Sequence, residues 1–290
     1  MDLLSDAITA VRIGQPTSNR LRAGDEWCYR FASYEGAGFH VLLRGSGWLV
    51  PSAGEPVPLG AGDVVLVPHG SEHTLSSRPD ASGAVPFESA VAEPDGRTEF
   101  LCGKYRLSHA RRHPVLASLP EVVHIPARIG GEPELRAAID LLGAEVSAPR
   151  PGSATVVAGL LDLLLVYLIR AWLAGNPGAG WPQALRDPSI AAALEALHAN
   201  PGAPWRIEDL ASRVGLSRAT LARRFAALTG HPPMAYLTWW RLATAARLLQ
   251  DTDLPLPSIA SKVGYGSPFA FSHAFKRQFG VAPGSYRSRG

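Results

Sequence analysis

The chain has only two cysteines, Cys28 and Cys102, among 290 residues, and only 18% of its residues carry charge. Two cysteines cannot build a disulfide scaffold, and such scarcity is typical of proteins that work in a reducing cytosol. Residues 1–14 lack both the basic start and the continuous apolar core of a signal peptide. We therefore expect a cytoplasmic protein.

A long hydrophobic run is also missing. The longest apolar stretch, residues 155–169, contains Asp162 and ends at Arg170. It is shorter than the roughly 20 apolar residues that a membrane-crossing helix needs. We therefore expect no membrane partner. The stretch instead predicts a helix that is buried in the protein or that forms a dimer interface.

Positive charge is concentrated in one part of the chain. From residue 181 to the end there are 13 Lys and Arg against 6 Asp and Glu, a net charge of +7. The first 180 residues hold 15 against 19, a net charge of −4, which gives the overall +3. A basic C-terminal third indicates contact with the phosphates of a nucleic acid.

The same third contains one sequence pattern twice. Ala-Ser-Arg-Val-Gly-Leu-Ser begins at Ala211, and Ala-Ser-Lys-Val-Gly-Tyr-Gly-Ser begins at Ala260, 49 positions later. After the one added residue, Gly266, further matches follow at an offset of 50, among them Phe225 with Phe275 and Tyr236 with Tyr286. A repeat of this length predicts one supersecondary unit that is used twice.

Each copy has the pattern of a helix-turn-helix. Ile207, Leu210 and Val214 lie on one face of a short helix, Gly215 suits the turn, and Ser217 caps the next helix. The outward side chains of the two second helices are small, polar or basic, as a helix lying in a major groove requires. They are Arg218, Ala219, Ala222 and Arg223, then Phe269, Ala270, Ser272 and His273, with Lys276 close behind. The alternative is a pair of ordinary helical hairpins with solvated basic faces.

Residues 190–287 resemble the DNA-binding domain of the AraC/XylS family of transcription regulators. The resemblance depends on the repeat, on residues 241–249, and on the ending Phe-Lys-Arg-Gln-Phe-Gly-Val-Ala-Pro-Gly-Ser-Tyr-Arg. It implies seven helices, with a long one near residues 234–249 between the two units. It also implies double-stranded promoter DNA and RNA polymerase as partners, and base contacts from the outward residues named above. One departure is His273, where the family usually has Arg.

The N-terminal part reads as β structure. Short apolar runs alternate with turn signals over residues 26–107, which predicts an antiparallel sandwich or barrel. Gly62, Pro68, Gly70 and His73 have the spacing of the second cupin motif, whereas the first motif has Gly38 in place of its glutamate. This part resembles the cupin-like sensor domain found in a subset of AraC-type regulators. The predicted fold is an all-β cupin-like barrel with a helical connector, followed by an all-α double helix-turn-helix.

Helices are expected over residues 132–146 and 153–173. We predict a sensor domain at 1–125, a connector that mediates dimerisation at 126–175, a Gly- and Pro-rich linker at 176–185, and the DNA-binding domain at 186–290. The second helix is apolar on most sides, which favours a homodimer. A core within a single chain is the alternative.

Three side chains of the sensor domain are candidate metal ligands. His40 and His73 could converge inside the barrel with Cys102, a donor set that suits zinc or another divalent transition metal. His69 is expected to face solvent, and His113 and His124 to pack or lie on the surface. The first cupin motif has lost its glutamate, so a metal-dependent enzyme is the weaker alternative, and we expect no catalytic activity.

The two cysteines support a second hypothesis. Some regulators of the resembled subset respond to hypochlorous acid or related oxidants, and Cys28 and Cys102 match their cysteine positions. A disulfide between the two residues would need Cα atoms roughly 4.4–6.8 Å apart, as on adjacent strands. Two alternatives remain: both cysteines are small buried hydrophobic residues, or the domain senses a small ligand with no redox step.

Overall fold

The computed structural model describes residues 3–11, 16–107, 113–127, 131–178 and 180–288. The chain forms two compact units, one from residues 12–108 and 119–175 and one from residues 1–11, 109–118 and 176–290. The strands are β1 Thr17–Ala23, β2 Cys28–Phe31, β3 Ala37–Arg44, β4 Ser46–Pro51, β5 Val57–Gly60, β6 Val64–Val67, β7 His73–Ser76, β8 Val85–Pro86, β9 Thr98–Tyr105 and β10 Val123–Ile125. The α-helices are α1 Leu3–Val11, α2 Pro114–Ala117, α3 Pro133–Ser147, α4 Ser153–Gly175, α5 Trp181–Arg186, α6 Pro188–Ala199, α7 Ile207–Arg213, α8 Arg218–Thr229, α9 Pro233–Asp251, α10 Leu256–Lys262, α11 Pro268–Phe279 and α12 Pro283–Arg287.

The strands form two five-stranded sheets, in the orders β1-β9-β3-β6-β10 and β5-β4-β7-β2-β8. Every pairing is antiparallel except that of β2 with β8. Alternate residues of each strand face the space between the sheets. The core cluster there includes Trp27, Tyr29, Phe31, Leu42, Leu49, Leu75, Phe100 and Cys102. The predicted cupin-like β domain is thus confirmed.

Helices α3 and α4 pack against each other and against β1. Helix α3 is shifted by one residue towards the C-terminus relative to its predicted bounds, and α4 ends two residues later than predicted. Leu135, Ile139 and Leu142 form the buried stripe of α3, while Val146 is half-buried. The hydroxyl of Tyr105 in β9 donates a 2.7 Å hydrogen bond to the carbonyl of Leu161 in α4. Helix α4 is long and apolar enough to cross a membrane by length and composition, and seven of its residues are buried against the rest of the unit.

The second unit contains both helix-turn-helix motifs, α7–α8 and α10–α11. Gly215 and Gly264 adopt φ values of +68° and +81° in the two turns, a conformation that costs other residues more energy. Ser217 and Ser267 cap α8 and α11 through their side-chain oxygens. The long helix α9 exceeds its predicted bounds at both ends. Helices α6 to α12 are the seven that the resemblance implies.

Two short segments of the N-terminal part belong to this helical unit. Helix α1 packs on α6 and α9, and its Leu3, Leu4 and Ile8 are buried. The segment that contains α2 also clusters with the C-terminal helices. The sequence placed both segments in residues 1–125 with the β domain, because local patterns do not report contacts with residues over 100 positions away.

Candidate functional site

The outer face of α8 carries the four residues predicted from the first repeat. Leu221 and Phe225 are fully buried, which fixes the rotation of the helix. On the opposite side Arg218, Ala219 and Arg223 are exposed, and Ala222 is half-buried. This face therefore has the small and basic surface that a major groove can accept.

Helix α11 repeats this arrangement in the second helix-turn-helix motif. Phe271 and Phe275 are buried, while Ala270, His273 and Lys276 are exposed and Ser272 is half-buried. Phe269 is 88% exposed, the most exposed of the large hydrophobic side chains in the described residues. This aromatic ring, in the first turn of α11, contributes nothing to the packing of the core.

The arginines around α8 have different roles in the unbound protein. Arg218 forms a 3.1 Å ion pair with the exposed Glu208 of α7. Arg224, which was not among the predicted residues, pairs with Asp187, the N-cap of α6. Arg224 is therefore a structural contact within the helical unit, and Arg223 is the exposed member of this adjacent pair.

In the β unit, the structure brings together His40, His73 and Cys102. The Sγ atom of Cys102 lies 2.8 Å from Nδ1 of His40, and Nε2 of His40 lies 2.7 Å from Nε2 of His73. All three side chains are buried. Register explains the first contact, since His40 of β3 is paired with Cys102 of β9.

The partners of the three side chains determine which atom donates and which accepts in each of these hydrogen bonds. Nδ1 of His73 lies 2.7 Å from the carbonyl oxygen of Ser71, which can only accept, so this nitrogen carries a proton. Nε2 of a neutral His73 then accepts from Nε2–H of His40, and Nδ1 of His40 accepts from the thiol of Cys102. The result is a directed relay from Cys102 through His40 and His73 to Ser71.

The electrostatics agree with neutral groups throughout the relay. Burial, with smaller contributions from His73 and Lys104, holds the pKa of His40 well below its ordinary value. Burial also lowers the pKa of His73. Burial raises the pKa of the Cys102 thiol well above its ordinary value, and Lys104 opposes this only in part. The resting cysteine is therefore a protected thiol and not a thiolate.

The relay does not fit the predicted metal site. His40 uses its two ring nitrogens, on opposite sides of the ring, to meet the other two residues. The three donors therefore lie in a line and do not point to one centre, as a tetrahedral zinc site requires. Within the described ranges, no group of three or more His, Cys, Asp or Glu side chains is arranged to hold a metal ion.

Cys28 lies apart from this relay. It is half-buried on β2, next to Tyr29, which faces the core between the sheets. Because neighbouring side chains on a strand point to opposite faces, Cys28 points away from the core to which Cys102 contributes. The neighbours of β2 are β7 and β8, whereas Cys102 is on β9 of the other sheet. The adjacent-strand geometry expected for a Cys28–Cys102 disulfide is thus absent from these described strands.

A cavity of about 460 Å³ opens beside the relay. Its lining combines the relay residues with Phe31, Phe87, Tyr34 and Lys104. This size is within the range of small-molecule sites.

The expectation that His69 faces solvent is wrong, because its Nε2 lies 2.8 Å from the carbonyl of Leu119 and the residue is half-buried. His124 packs beside Asp63 at 3.1 Å.

The sequence missed a second buried polar network, in the helical unit. The hydroxyl of Tyr236 lies 2.8 Å from Nε2 of His113 and 2.6 Å from Nε2 of His198. Nδ1 of His198 is 3.2 Å from Asp6 of α1, and Nδ1 of His113 accepts from the backbone N–H of Val115. His113 therefore donates to the Tyr236 oxygen, and Tyr236 donates to His198. A polar residue on the apolar face of α6, His198, was the signal that could have indicated it.

Comparison with known proteins covers almost the whole chain. Residues 2–174 match the family described as Cupin, and residues 210–289 match the family described as Helix-turn-helix domain. A putative AraC-like transcription regulator of Streptomyces lividans is 37% identical over 99% of this chain and 98% of its own length. The RCS-specific HTH-type transcriptional activator RclR of Escherichia coli is 33% identical over 87% of this chain and 84% of its own.

Among solved structures, the DNA-binding domain of AdpA in complex with a target DNA is 36% identical. The match covers 36% of this chain and 92% of that domain, with a TM-score of 0.34.

Proposed function

The chain belongs to the AraC-like transcription regulators that carry an N-terminal cupin domain, and from this premise we propose that it is an oxidant-responsive, sequence-specific regulator. In this proposal α8 and α11 read two stretches of promoter DNA, and oxidation of Cys102 changes that binding. The protein acts in the cytoplasm, where promoter DNA and RNA polymerase are its partners. The relay from Cys102 to His73 carries the sensing half of the proposal.

Support for DNA reading comes from the two exposed helix faces. Each is held in place by buried aromatic or aliphatic residues on the opposite side, and each begins at a serine cap. The first face supplies guanidinium groups, which bind guanine edges or phosphates. The second face supplies Phe269, whose ring suits the methyl group of thymine. Together they allow the two units to read different bases.

We expect Arg223→Ala to weaken binding to an operator, selected from random double-stranded DNA, by about tenfold, since one guanidinium contact contributes about 1–3 kcal/mol. Fluorescence anisotropy at several salt concentrations measures the loss. If Arg223 binds phosphate, the slope of affinity against salt falls by about one; if it binds a base, preference at one position relaxes. Arg97→Ala, an exposed arginine of the β unit, is the control. Unchanged affinity in Arg223→Ala would argue against groove insertion by α8.

Support for oxidant sensing comes from the acceptor beside the thiol. As the sulfur of Cys102 attacks the chlorine of hypochlorous acid, the thiol proton moves to Nδ1 of His40 in the same step. The displaced hydroxide takes this proton and leaves as water, so the relay returns to its neutral form. Water then replaces chloride on sulfur, and the products are a sulfenic acid and HCl. The sulfur of Cys102 has then lost two electrons to the oxidant. The added oxygen breaks the Cys102–His40 hydrogen bond, so the relay reports the event.

This proposal assigns different outcomes to the two cysteines. We expect Cys102→Ser to abolish the change in operator binding that hypochlorite causes in the wild-type protein, because serine cannot form the sulfenic acid. Cys28→Ser is the matched control and should respond as the wild type does, since the hydrogen bonds of the relay do not include Cys28. Electrophoretic mobility shifts before and after one equivalent of oxidant measure this. A full response in Cys102→Ser would remove Cys102 as the sensor.

We also propose that the regulator is a homodimer formed through α4. Val156 and Leu163 are 45% and 49% exposed and lie seven residues apart, so they share one face of the helix. Helix α4 is strongly apolar although only 39% of its most apolar window is buried in one chain. A second copy of the same face would cover these residues.

A charge on that face should separate the two copies. We expect Leu163→Glu to shift the protein from dimer to monomer in sedimentation velocity at micromolar concentration. The charge would have to be buried without a partner in the dimer, which costs several kcal/mol. Val91→Glu, at an exposed position in a loop of the same unit, is the control. A Leu163→Glu protein that stays dimeric would exclude this face of α4.

A further inference from the structure

We propose that a contact between the two helix-turn-helix motifs determines which spacing of two DNA segments the protein binds. The contact, here called the bridge, consists of Arg241 in α9, Gly202 before α7, and Gly264 between α10 and α11. Arg241 is a positioning residue, because its hydrogen bonds are to the protein backbone. The inference rests on the proposed reading of DNA by α8 and α11, and it adds what holds these two helices in one relative position.

Two loops of the helical unit touch at the bridge. Residues 200–206 lead into α7, the first helix of the first motif, and residues 263–267 join the two helices of the second motif. A Cβ atom on Gly202 would lie 2.5 Å from the carbonyl oxygen of Lys262, and one on Gly264 would lie 2.8 Å from the carbonyl oxygen of Gly202. The two backbones are therefore in direct contact, and the absence of a side chain at position 202 is what allows this approach.

Arg241 holds the two loops together. Its Nε and Nη2 atoms each donate a hydrogen bond of 2.7 Å, the first to the carbonyl oxygen of Pro201 and the second to that of Ala203. The same Nη2 atom lies 2.8 Å from the position that a Cβ atom of Gly264 would take. One guanidinium group therefore bonds the loop before α7 and packs against the turn before α11. The two bonds are charge-assisted, and they use the planar fork of arginine, which lysine lacks.

The bridge is a second connection between two motifs that α9 already joins. Helix α9 packs against α8 of the first motif and against α10 and α11 of the second. Long helices bend, so α9 alone allows α8 and α11 to change their relative position. The bridge removes this freedom, because it ties the start of α7, which packs on α8, to the turn that leads into α11. The two motifs therefore present their outer faces at one fixed separation.

Operators that differ only in the spacing of the two segments test the bridge. Each base pair inserted between the segments moves the second one by about 3.4 Å and turns it by about 35°. We expect one inserted base pair to weaken binding of the full-length wild-type protein at least about tenfold in fluorescence anisotropy. In Arg241→Met and Arg241→Lys this penalty should fall to about threefold or less, because neither side chain makes both bonds. Arg247→Met, which removes one positive charge from the same helix, is the control and should keep the full penalty. The full penalty in both Arg241 variants would overturn the proposal.

The Gly202→Ala variant tests the same contact without removing a charge. Gly202 lies outside the left-handed region, so its backbone accepts alanine, and the added Cβ atom meets the second motif. We expect it to separate the two loops and to lower the spacing penalty to about threefold or less. Gly284→Ala, where a Cβ atom would meet nothing within 4 Å, is the control. Tryptophan-detected unfolding in urea shows whether each variant is folded. If the Arg241 variants are not, an unchanged penalty in Gly202→Ala overturns the bridge.

Scrambling one DNA segment at a time distinguishes a failure of the bridge from a failure of the proposed DNA reading. If the wild-type protein binds equally well when either segment is scrambled, the proposed reading by two helices is wrong. If both segments are needed but the wild-type protein tolerates the inserted base pair, or the variants keep the full penalty, the reading stands and only the bridge is wrong.

Discussion

Phe269→Ala should weaken operator binding by about tenfold or more while leaving the stability of the protein unchanged. The ring is 88% exposed at the first turn of α11, so its removal creates no cavity in the core. Full burial of a phenylalanine side chain contributes about 1.5–3 kcal/mol, which corresponds to a loss of about tenfold or more. The loss should be greatest for operators with a thymine at one fixed position.

Anisotropy titrations of the variant against operators changed one base pair at a time measure this effect. Gln278→Ala, at another exposed position of α11, is the matched control and should bind as the wild type does. Urea unfolding confirms that the fold is intact. Wild-type affinity in Phe269→Ala would mean that the first turn of α11 does not reach the bases.

Tyr236→Phe should lower the free energy of unfolding of the helical unit by about 2–5 kcal/mol. Removing the hydroxyl leaves Nε2–H of His113 and Nε2 of His198 buried without partners, and each such group costs about 1–3 kcal/mol. Trp181, Trp239 and Trp240 lie around this network, so their fluorescence reports its unfolding in urea. Tyr265→Phe, in the turn between α10 and α11, is the control. A loss below about 0.5 kcal/mol would show that His113 and His198 find other hydrogen-bond partners when the hydroxyl is removed.

The same network makes the helical unit sensitive to acid. Burial, reinforced by His198, holds the pKa of His113 well below its ordinary value of 6.5, and burial lowers the pKa of His198 despite the opposing effect of Asp6. The folded state therefore resists protons that the unfolded chain accepts. Stability is complete above about pH 6.5 and falls by about 1.4 kcal/mol per histidine for each unit of pH below it, until the folded pKa is reached. Tryptophan-detected unfolding at pH 7.5 and 5.5 checks this, and equal stability would contradict it.

The sequence predicts the helix-turn-helix units well, because every determinant of these units is local. Gly215 allows the turn, Ser217 caps α8, and the spacing of Leu221 and Phe225 fixes which face is buried. The cupin motif likewise placed His73 beside His40, since the motif specifies a strand, a turn and an inward side chain. Patterns of this kind depend on neighbouring residues alone.

The arrangement of the relay residues depends on contacts that local patterns do not contain. Whether His40, His73 and Cys102 converge on one point or form a line is decided by which ring nitrogen faces which neighbour. The position of Cys28 depends on the assignment of β2 to the second sheet. In the network, Tyr236 contacts His198, 38 positions away, and His113, 123 positions away. His198 in turn contacts Asp6 in α1, near the other end of the chain. No repeat, cap or periodicity encodes such pairings.

The assignment of α1 and the α2 segment to the helical unit has a consequence for evolution by recombination. The chain passes between its two units four times, after residues 11, 108, 118 and 175. The predicted linker is shorter than expected, because residues 181–185 belong to the partly buried helix α5. A single genetic crossover just before α5 would therefore give a helical unit a foreign α1 and α2 segment along with a foreign β unit. Such a hybrid keeps the Tyr236 network only if the donor sequence supplies counterparts of Asp6 and His113. Exchange of whole N-terminal units should thus disturb the helical unit, whereas substitution within the cavity of the β unit would not.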